Sequence, residues 1–147
     1  MVSIQIEYEG ELHCKAVHGP SGTVLTTDAP KDNHGRGESF SPTDLVATAL
    51  GTCMLTIMGI TARTLGIDVA GATATVDKAM TSTRPRRIES LTVRIHVPQE
   101  VSVEDQQKLA RAALACPVHK SLHPDVQRPI AFTWGKGQPE TGALPAA

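Results

Sequence analysis

Apolar and polar residues alternate along the first 27 positions of the chain. Residues 2–8 and 12–17 place apolar side chains at every second position, and a stretch with Gly and Pro at residues 18–22 separates them from a third run at 23–27. A period of two is typical of strands that bury one face, and Gly and Pro mark turns. The pattern predicts three β-strands joined by short turns.

A polar loop at residues 28–40 precedes an uncharged run with a different pattern. Between Asp44 and Arg63 no residue is charged, and apolar, Thr and Gly residues occur on every side of a helical projection. Ser41 can cap this helix, and Asp44 completes a capping box by accepting the backbone N–H of Ser41. We therefore predict a long helix that is buried on all faces and ends at Gly66.

The uncharged run approaches the length of a membrane-spanning helix. Its Thr and Gly residues, on a chain with a mean hydropathy of -0.11, favour a buried helix of a soluble protein instead. The chain has only two Phe, one Tyr and one Trp, so it offers little bulky apolar surface to cover such a helix. We expect a second copy of the chain to contribute to that cover.

The rest of the chain predicts one more hairpin, two more helices and a last strand. A capping box opens the first of these helices, and Pro117 ends it and begins the next. The predicted elements are strands at residues 69–81 and 91–97, helices at 103–115 and 117–122, and an edge strand at 130–134. We predict a single domain at residues 1–135 and a disordered tail at 136–147.

Composition and charge exclude several classes of partner. The chain has 14 Lys and Arg residues against 15 Asp and Glu, a net charge of -1, and no basic run with interleaved aromatic residues. Nucleic acids and membrane surfaces are therefore not expected partners. The N-terminus has neither a positive leader nor an apolar signal core, which predicts a cytoplasmic protein. Three cysteines in a reducing compartment leave thiol chemistry, metal binding or packing.

The three cysteines lie in different predicted elements. Cys14 is on the apolar side of a strand, where a free cysteine packs as a small hydrophobic residue. Cys53 lies about three turns into the long helix, beyond the reach of its dipole, so its reactivity must come from other groups. Cys116 caps the short helix that begins at Pro117, a position that predicts a lowered thiol pKa.

Two stretches resemble the cysteine motifs of the OsmC/Ohr family, the osmotically inducible and organic hydroperoxide resistance proteins. They are Ser41-Pro42-Thr43-Asp44-Leu45 through Gly51-Thr52-Cys53, and Cys116-Pro117-Val118. The resemblance implies an α+β OsmC-like fold with antiparallel sheets around a long, buried, cysteine-bearing helix. It also implies an intertwined homodimer with active sites at the subunit interface.

The resemblance implies a thiol-dependent peroxidase that acts in oxidative stress defence. In the peroxidase members, the cysteine matching Cys53 attacks the peroxide and becomes a sulfenic acid, which the cysteine matching Cys116 converts to a disulfide. The implied substrates are organic hydroperoxides, with hydrogen peroxide as a further one. An external dithiol is the reductant, and no cofactor is required. The position of Cys116 at a helix start predicts that it is the more acidic of the two thiols. We nevertheless follow the resemblance and assign the attack on the peroxide to Cys53.

Two features of the peroxidase members are not matched, which places this chain in a less characterised subgroup. Those members have a glutamate directly after the proline, where this chain has Thr43. They also have an arginine in the N-terminal hairpin, whereas this chain has no Arg before position 36. The candidates for activating Cys53 or contacting substrate are Arg36, Glu38 and Asp44. Lys15 and the partner subunit's Arg84 are further candidate cations.

Two alternatives come from other functional classes. Metal binding is suggested by Cys116, His119 and His123, of which the two histidines are one helical turn apart if their helix persists. His13, Cys14 and His18 form a second possible group. Neither group provides the four ligands of a typical zinc site. The other alternative is a noncatalytic protein that binds a small hydrophobic molecule and retains its cysteines for packing.

Overall fold

The computed structural model describes residues 1–136, which form an α+β fold as predicted. They divide into an N-terminal unit, Met1–Val46, and a C-terminal unit that begins at Ala47. The single domain at 1–135 stays a prediction, and residues 137–147 of the predicted tail lie outside the described residues. The elements are β1 (Ile4–Gly10), β2 (His13–His18), β3 (Val24–Asp28), a 3-10 turn (Lys31–Asn33), α1 (Pro42–Leu65), β4 (Thr73–Met80), β5 (Ile88–Val97), α2 (Val103–Leu114), α3 (Pro117–Ser121) and β6 (Ile130–Trp134).

The N-terminal unit is built on an antiparallel sheet in the order β1-β2-β3. Ile6 of β1 lies opposite Ala16, which in turn lies opposite Leu25, so these three side chains share one face. Ile6 is 70% exposed and Leu25 40% exposed. Of residues 1–46, only the polar Asp28 and Ser41 are buried. One chain therefore leaves the apolar face of this sheet uncovered.

The carboxylate of Asp28 anchors the loop that follows β3. Asp28 is 1% exposed, and its Oδ2 accepts the backbone N–H of Glu38 at 3.0 Å. His13 Nδ1 lies 3.8 Å from its Oδ1. The Glu38 N–H is the largest cause holding the pKa of Asp28 below its ordinary value, with further help from the charge of His13 and the N–H groups of Ala29 and Gly37, against the opposing effect of burial. The loop is thus organised around an ionised carboxylate.

We expect Asp28→Asn to destabilise the chain at neutral pH and to weaken the acid dependence of its stability. Because the pKa of Asp28 is lowered from 3.8 on folding, its charge contributes stability above that value, and this is lost as pH falls through the folded-state pKa. Urea denaturation at pH 7 and below about pH 4 measures the effect. Glu38→Gln is the control, since it removes an exposed loop charge and keeps the N–H. Equal acid sensitivity in Asp28→Asn and the wild type would contradict this role.

Both ends of α1 carry the predicted capping groups. Asp44 Oδ2 accepts the Ser41 N–H at 2.8 Å, and the Asp44 N–H donates to Ser41 Oγ at 3.2 Å. At the other end Gly66 has a φ of 70°, and the Ile67 N–H donates to the Ala62 carbonyl at 2.9 Å. A left-handed glycine with this bond is a common helix ending. The predicted start and end of the helix are confirmed.

A single chain buries only one face of α1, so burial on all faces, which was predicted with cover from a second copy, stays a prediction. Thr52 and Thr56 are exposed, and Ile60 is 58% exposed. By length and composition α1 could also cross a membrane, a test that core helices of soluble proteins pass too. Uncharged residues occur on every side of α1, but one chain covers only one side of the helix. The buried residues are Ala47, Leu50, Gly51, Met54, Met58 and Ala62.

The sheet of the C-terminal unit has the order β4-β5-β6 and is mixed. Strands β4 and β5 are antiparallel, but β5 and β6 are parallel, so the prediction of purely antiparallel sheets is wrong here. Parallel neighbours need a crossover connection, and α2 and α3 lie between these two strands in the chain. The predicted edge position of β6 is confirmed. The buried side chains of the central strand are Leu91, Val93, Ile95 and Val97.

Gly51 lets α1 approach β4 closely. A Cβ at this position would lie 3.0 Å from Val76 Cγ2 and 3.6 Å from Ala74 Cβ. We expect Gly51→Val to lower the free energy of unfolding by about 1–3 kcal/mol through overpacking, as measured by urea denaturation. Thr64→Val, on an exposed position of the same helix, should change it by no more than about 0.5 kcal/mol. Equal free energies of unfolding for the two variants would contradict close packing of α1 against β4 at Gly51.

Candidate active site

The two helix-borne cysteines are positioned by local sequence features. Cys53 lies within α1 and is half-buried. Cys116 is the N-cap of α3, with Pro117 at the first helical position as predicted. Its Sγ accepts the backbone N–H of His119 at 3.2 Å. The end of α2 and the start of α3 therefore fix the position of the second sulfur.

The structure brings the side chains of Cys53 and Cys116 together inside the C-terminal unit. The side chain of Cys53 is near enough to contribute, after burial, to the raised pKa of the Cys116 thiol. Both thiols are free, as is that of Cys14, which lies on β2 in the N-terminal unit. A sulfenic acid formed on one of two neighbouring thiols can condense with the other to a disulfide. Reversible oxidation is thus a chemistry that two neighbouring thiols allow.

The pKa of Cys116 is raised, so the predicted lowering is wrong. Burial is the largest cause, because the residue is 0% exposed and its thiolate would lose hydration. The N–H groups of His119 and Val118 favour the thiolate, but they do not offset burial together with the hydrogen bond and charge of Cys53. At neutral pH, Cys116 is a protonated thiol.

Two basic residues near Cys116 have structural roles. Burial, followed by the charges of Arg128 and Lys120, lowers the pKa of His119, so its imidazole is neutral at pH 7. Arg128 Nη1 donates to the carbonyls of His119 at 3.5 Å and Leu122 at 3.4 Å. Arg128 thus holds the end of the helix that Cys116 begins. Sequence reasoning missed this residue, because nothing in the sequence links it to that helix.

The other predicted site residues lie in the N-terminal unit, whereas both helix cysteines lie in the C-terminal one. Arg36 Nη2 is 3.7 Å from Glu11 Oε2, in an ion pair that is largely exposed on both sides and contributes little stability. Glu38 is exposed and contributes its backbone N–H to Asp28. Asp44 caps α1. Direct roles for Arg36, Glu38 and Asp44 in chemistry stay predictions.

The residues of the metal alternative are not assembled into a site. Helix α3 ends at Ser121, so His119 and His123 do not share a helical face. His123 instead lies 3.7 Å from Asp125. Within residues 1–136, no group of three or more His, Cys, Asp or Glu side chains is placed to hold a metal ion. The geometry gives this alternative no support.

A capped cysteine helix packed on a mixed sheet, with a second cysteine beside it at a helix start, defines an OsmC-like protein. A family model described as "OsmC-like protein" matches residues 35–128, and the chain belongs to this family. No curated protein matches it.

Solved structures with the same fold include one from Psychrobacter arcticus, described as a candidate osmotic stress induced and detoxification response protein. It is 45% identical, with a TM-score of 0.85, covering 90% of this chain and 96% of that one. An organic hydroperoxide resistance protein from Legionella pneumophila is 14% identical, with a TM-score of 0.73 and coverages of 90% and 96%. Another, from Elizabethkingia anophelis, is 14% identical, with a TM-score of 0.74 and coverages of 92% and 96%. The last two show likeness of fold alone.

Proposed function

We propose that this chain is a thiol-dependent peroxidase that reduces organic hydroperoxides, and hydrogen peroxide as a further substrate. The Cys53 thiolate attacks the peroxide and becomes a sulfenic acid, with release of an alcohol or water. Cys116 then forms a disulfide with Cys53, and an external dithiol restores both thiols without a cofactor. The observation that carries the proposal is the interaction between half-buried Cys53 and buried Cys116.

Family membership supports this chemistry, since related structures are described as organic hydroperoxide resistance proteins. We also propose that the protein is located in the cytoplasm and acts in defence against oxidative stress. A reducing compartment would supply the dithiol and keep the three cysteines free between turnovers.

We further propose that the working form is a homodimer. The N-terminal unit buries no apolar side chain of its own, and it leaves Ile4, Ile6 and Tyr8 between 58% and 70% exposed. In the C-terminal unit, α1 leaves an uncharged face open that includes Ile60. A second copy offers the same apolar sheet face and the same uncharged helix face, and burying them would remove the exposed Ile4, Ile6, Tyr8 and Ile60 from water.

A turnover assay tests the peroxidase proposal. Cumene hydroperoxide and dithiothreitol are incubated with reduced protein, and peroxide consumption is followed over time. We expect the wild type and Cys14→Ser to consume peroxide at similar rates. Cys53→Ser should lose on the order of 10³-fold or more, because it removes the nucleophile. Consumption by the folded, reduced wild type no faster than by Cys53→Ser would refute the proposal.

A second candidate function is binding of a small hydrophobic molecule without catalysis. A groove of about 640 Å³ lies beside the end of α1 and is lined in part by Leu55, Met58, Ile67 and Val69, with Arg63 and Asp68 as charged groups. This volume is in the range of small-molecule sites. If the purified protein lacks peroxidase activity, native mass spectrometry tests this second candidate. A bound ligand in the spectrum would favour it.

A further inference from the structure

The turn between β4 and β5, residues 81–87, carries a cluster of positive charge, and we call it the basic tip. It contains Arg84, Arg86 and Arg87, so three of the 14 Lys and Arg residues of the chain fall within four positions. The turn contains no Asp or Glu. The basic tip therefore differs in charge from the rest of the chain, whose net charge is -1 in total.

Hydrogen bonds of Thr81 close the basic tip and order its backbone. The Thr81 N–H donates to the Arg87 carbonyl at 2.9 Å, and the Arg87 N–H donates to Thr81 Oγ1 at 3.1 Å. The same hydroxyl donates to the Pro85 carbonyl at 3.2 Å. Because these bonds already order the turn, a partner that binds its arginines loses little free energy in ordering their backbone.

The guanidinium groups of Arg84 and Arg87 have no carboxylate partner. Both residues are exposed, and neither forms an ion pair with any residue in the described range 1–136. Arg87 Nη1 donates to the Ile88 carbonyl at 3.2 Å, which leaves most of the five N–H donors of its guanidinium unused. By contrast, Arg94 in β5 pairs with Asp77 in β4. Like charges on an exposed turn repel each other, so this cluster does not serve the stability of the hairpin.

We propose that the basic tip is a docking surface for a protein segment in which two or more carboxylates lie close together. Guanidinium groups bind carboxylates through two parallel hydrogen bonds. Residues 82–87 are all exposed, whereas sites for small molecules are concave, so a protein surface suits the tip better than a small anion. A nucleic acid would extend beyond this turn onto a chain that is acidic overall. This inference goes beyond the proposed peroxidase function and does not depend on it.

Binding of short peptides to the full chain tests the proposal. The probes are fluorescently labelled hexaglutamate with blocked ends, the neutral hexaglutamine and a single-stranded oligonucleotide of similar net charge. Their dissociation constants are measured by fluorescence anisotropy. The proteins are the wild type, Arg84→Gln with Arg87→Gln, and Arg84→Lys with Arg87→Lys. The matched control is Arg63→Gln with Arg111→Gln, which removes the same charge from two exposed positions on helices.

We expect the wild type to bind hexaglutamate and not hexaglutamine. The double Gln variant of the basic tip should bind hexaglutamate about 10-fold more weakly or worse, and the matched control less than about 3-fold more weakly. The double Lys variant should lie between the tip variant and the wild type, because lysine keeps the charge but not the planar fork. Raising NaCl from about 0.05 M to about 0.5 M should weaken wild-type binding by about 10-fold or more.

Three results would overturn the proposal. The first is no binding of hexaglutamate by the folded wild type. The second is an equal loss of binding in the tip variant and the matched control, which would mean that net charge and not the tip attracts the peptide. The third is tighter binding of the oligonucleotide than of hexaglutamate, which would assign the basic tip to nucleic acid. None of these results bears on the peroxidase proposal.

Discussion

Cys53→Ser will abolish sulfenic acid formation, and Cys116→Ser will let the sulfenic acid accumulate. The two variants differ because Cys53 is half-buried within the uncharged stretch of α1 between Asp44 and Arg63, whereas Cys116 is fully buried and protonated at neutral pH. A buried, protonated thiol is a poor nucleophile toward peroxide. The measurement is labelling with dimedone after one equivalent of cumene hydroperoxide, followed by mass spectrometry of the labelled peptides. We expect label on Cys53 in Cys116→Ser and none in Cys53→Ser.

The reverse pattern would exchange the two roles. Label on Cys116 in the Cys53→Ser variant would mean that the buried thiol meets the peroxide first, as the helix-dipole argument from the sequence suggested. Cys14→Ser serves as the matched control, since it removes a cysteine that lies in the other unit. It should give the wild-type result.

We expect Ile6→Glu to dissociate the proposed homodimer. Ile6 is 70% exposed in one chain and lies on the apolar face of the β1-β2-β3 sheet, opposite Ala16. If a second copy covers this face, a carboxylate there would be buried without a partner, so we expect the dissociation constant to rise by on the order of 10²-fold or more. Sedimentation equilibrium measures it.

Gln5→Glu provides the matched control for this prediction. Gln5 is the preceding residue of β1, so its side chain points to the opposite face of the sheet and the variant adds the same charge there. This variant should remain dimeric. An unchanged dimer in both variants would mean that another surface forms the interface, and a monomeric wild type would refute the homodimer.

Local sequence chemistry predicted where most elements begin and end. The reciprocal bonds of Ser41 and Asp44 and the left-handed Gly66 are where a capping box and a helix-ending glycine place them. These features depend on residues within a few positions of each other, so they can be recognised without knowledge of the fold. The 3-10 turn at Lys31–Asn33 was missed because the polar loop around it has no regular period.

Features that depend on distant residues could not be predicted from pattern alone. Nothing in the alternation of β5 indicates that β6 would pair with it in parallel rather than antiparallel orientation. The apolar pattern of α1 is correct, but the pattern does not tell whether its cover comes from the same chain or from a second one. Nor does it reveal that Asp28 would be a buried anchor for the next loop.

The candidate site likewise has features that the sequence predicts and features that depend on the folded chain. The motifs containing Cys53 and Cys116 were identified from the sequence, and the structure places the two side chains together. The pKa direction of Cys116 was mistaken because the sequence reveals a helix start but not the depth of burial, which is the larger effect. Arg128 was missed because its bonds to the end of α3 exist only in the folded chain.

The most direct test of the redox pair is a map of disulfides after oxidation. Reduced wild-type protein is treated with one equivalent of cumene hydroperoxide, alkylated at its remaining thiols, digested without reductant and analysed by mass spectrometry. A peptide pair joined through Cys53 and Cys116, with Cys14 alkylated, is the predicted result. Recovery of Cys53 and Cys116 as separate alkylated thiols, while the peroxide remains unconsumed, would contradict the central claim.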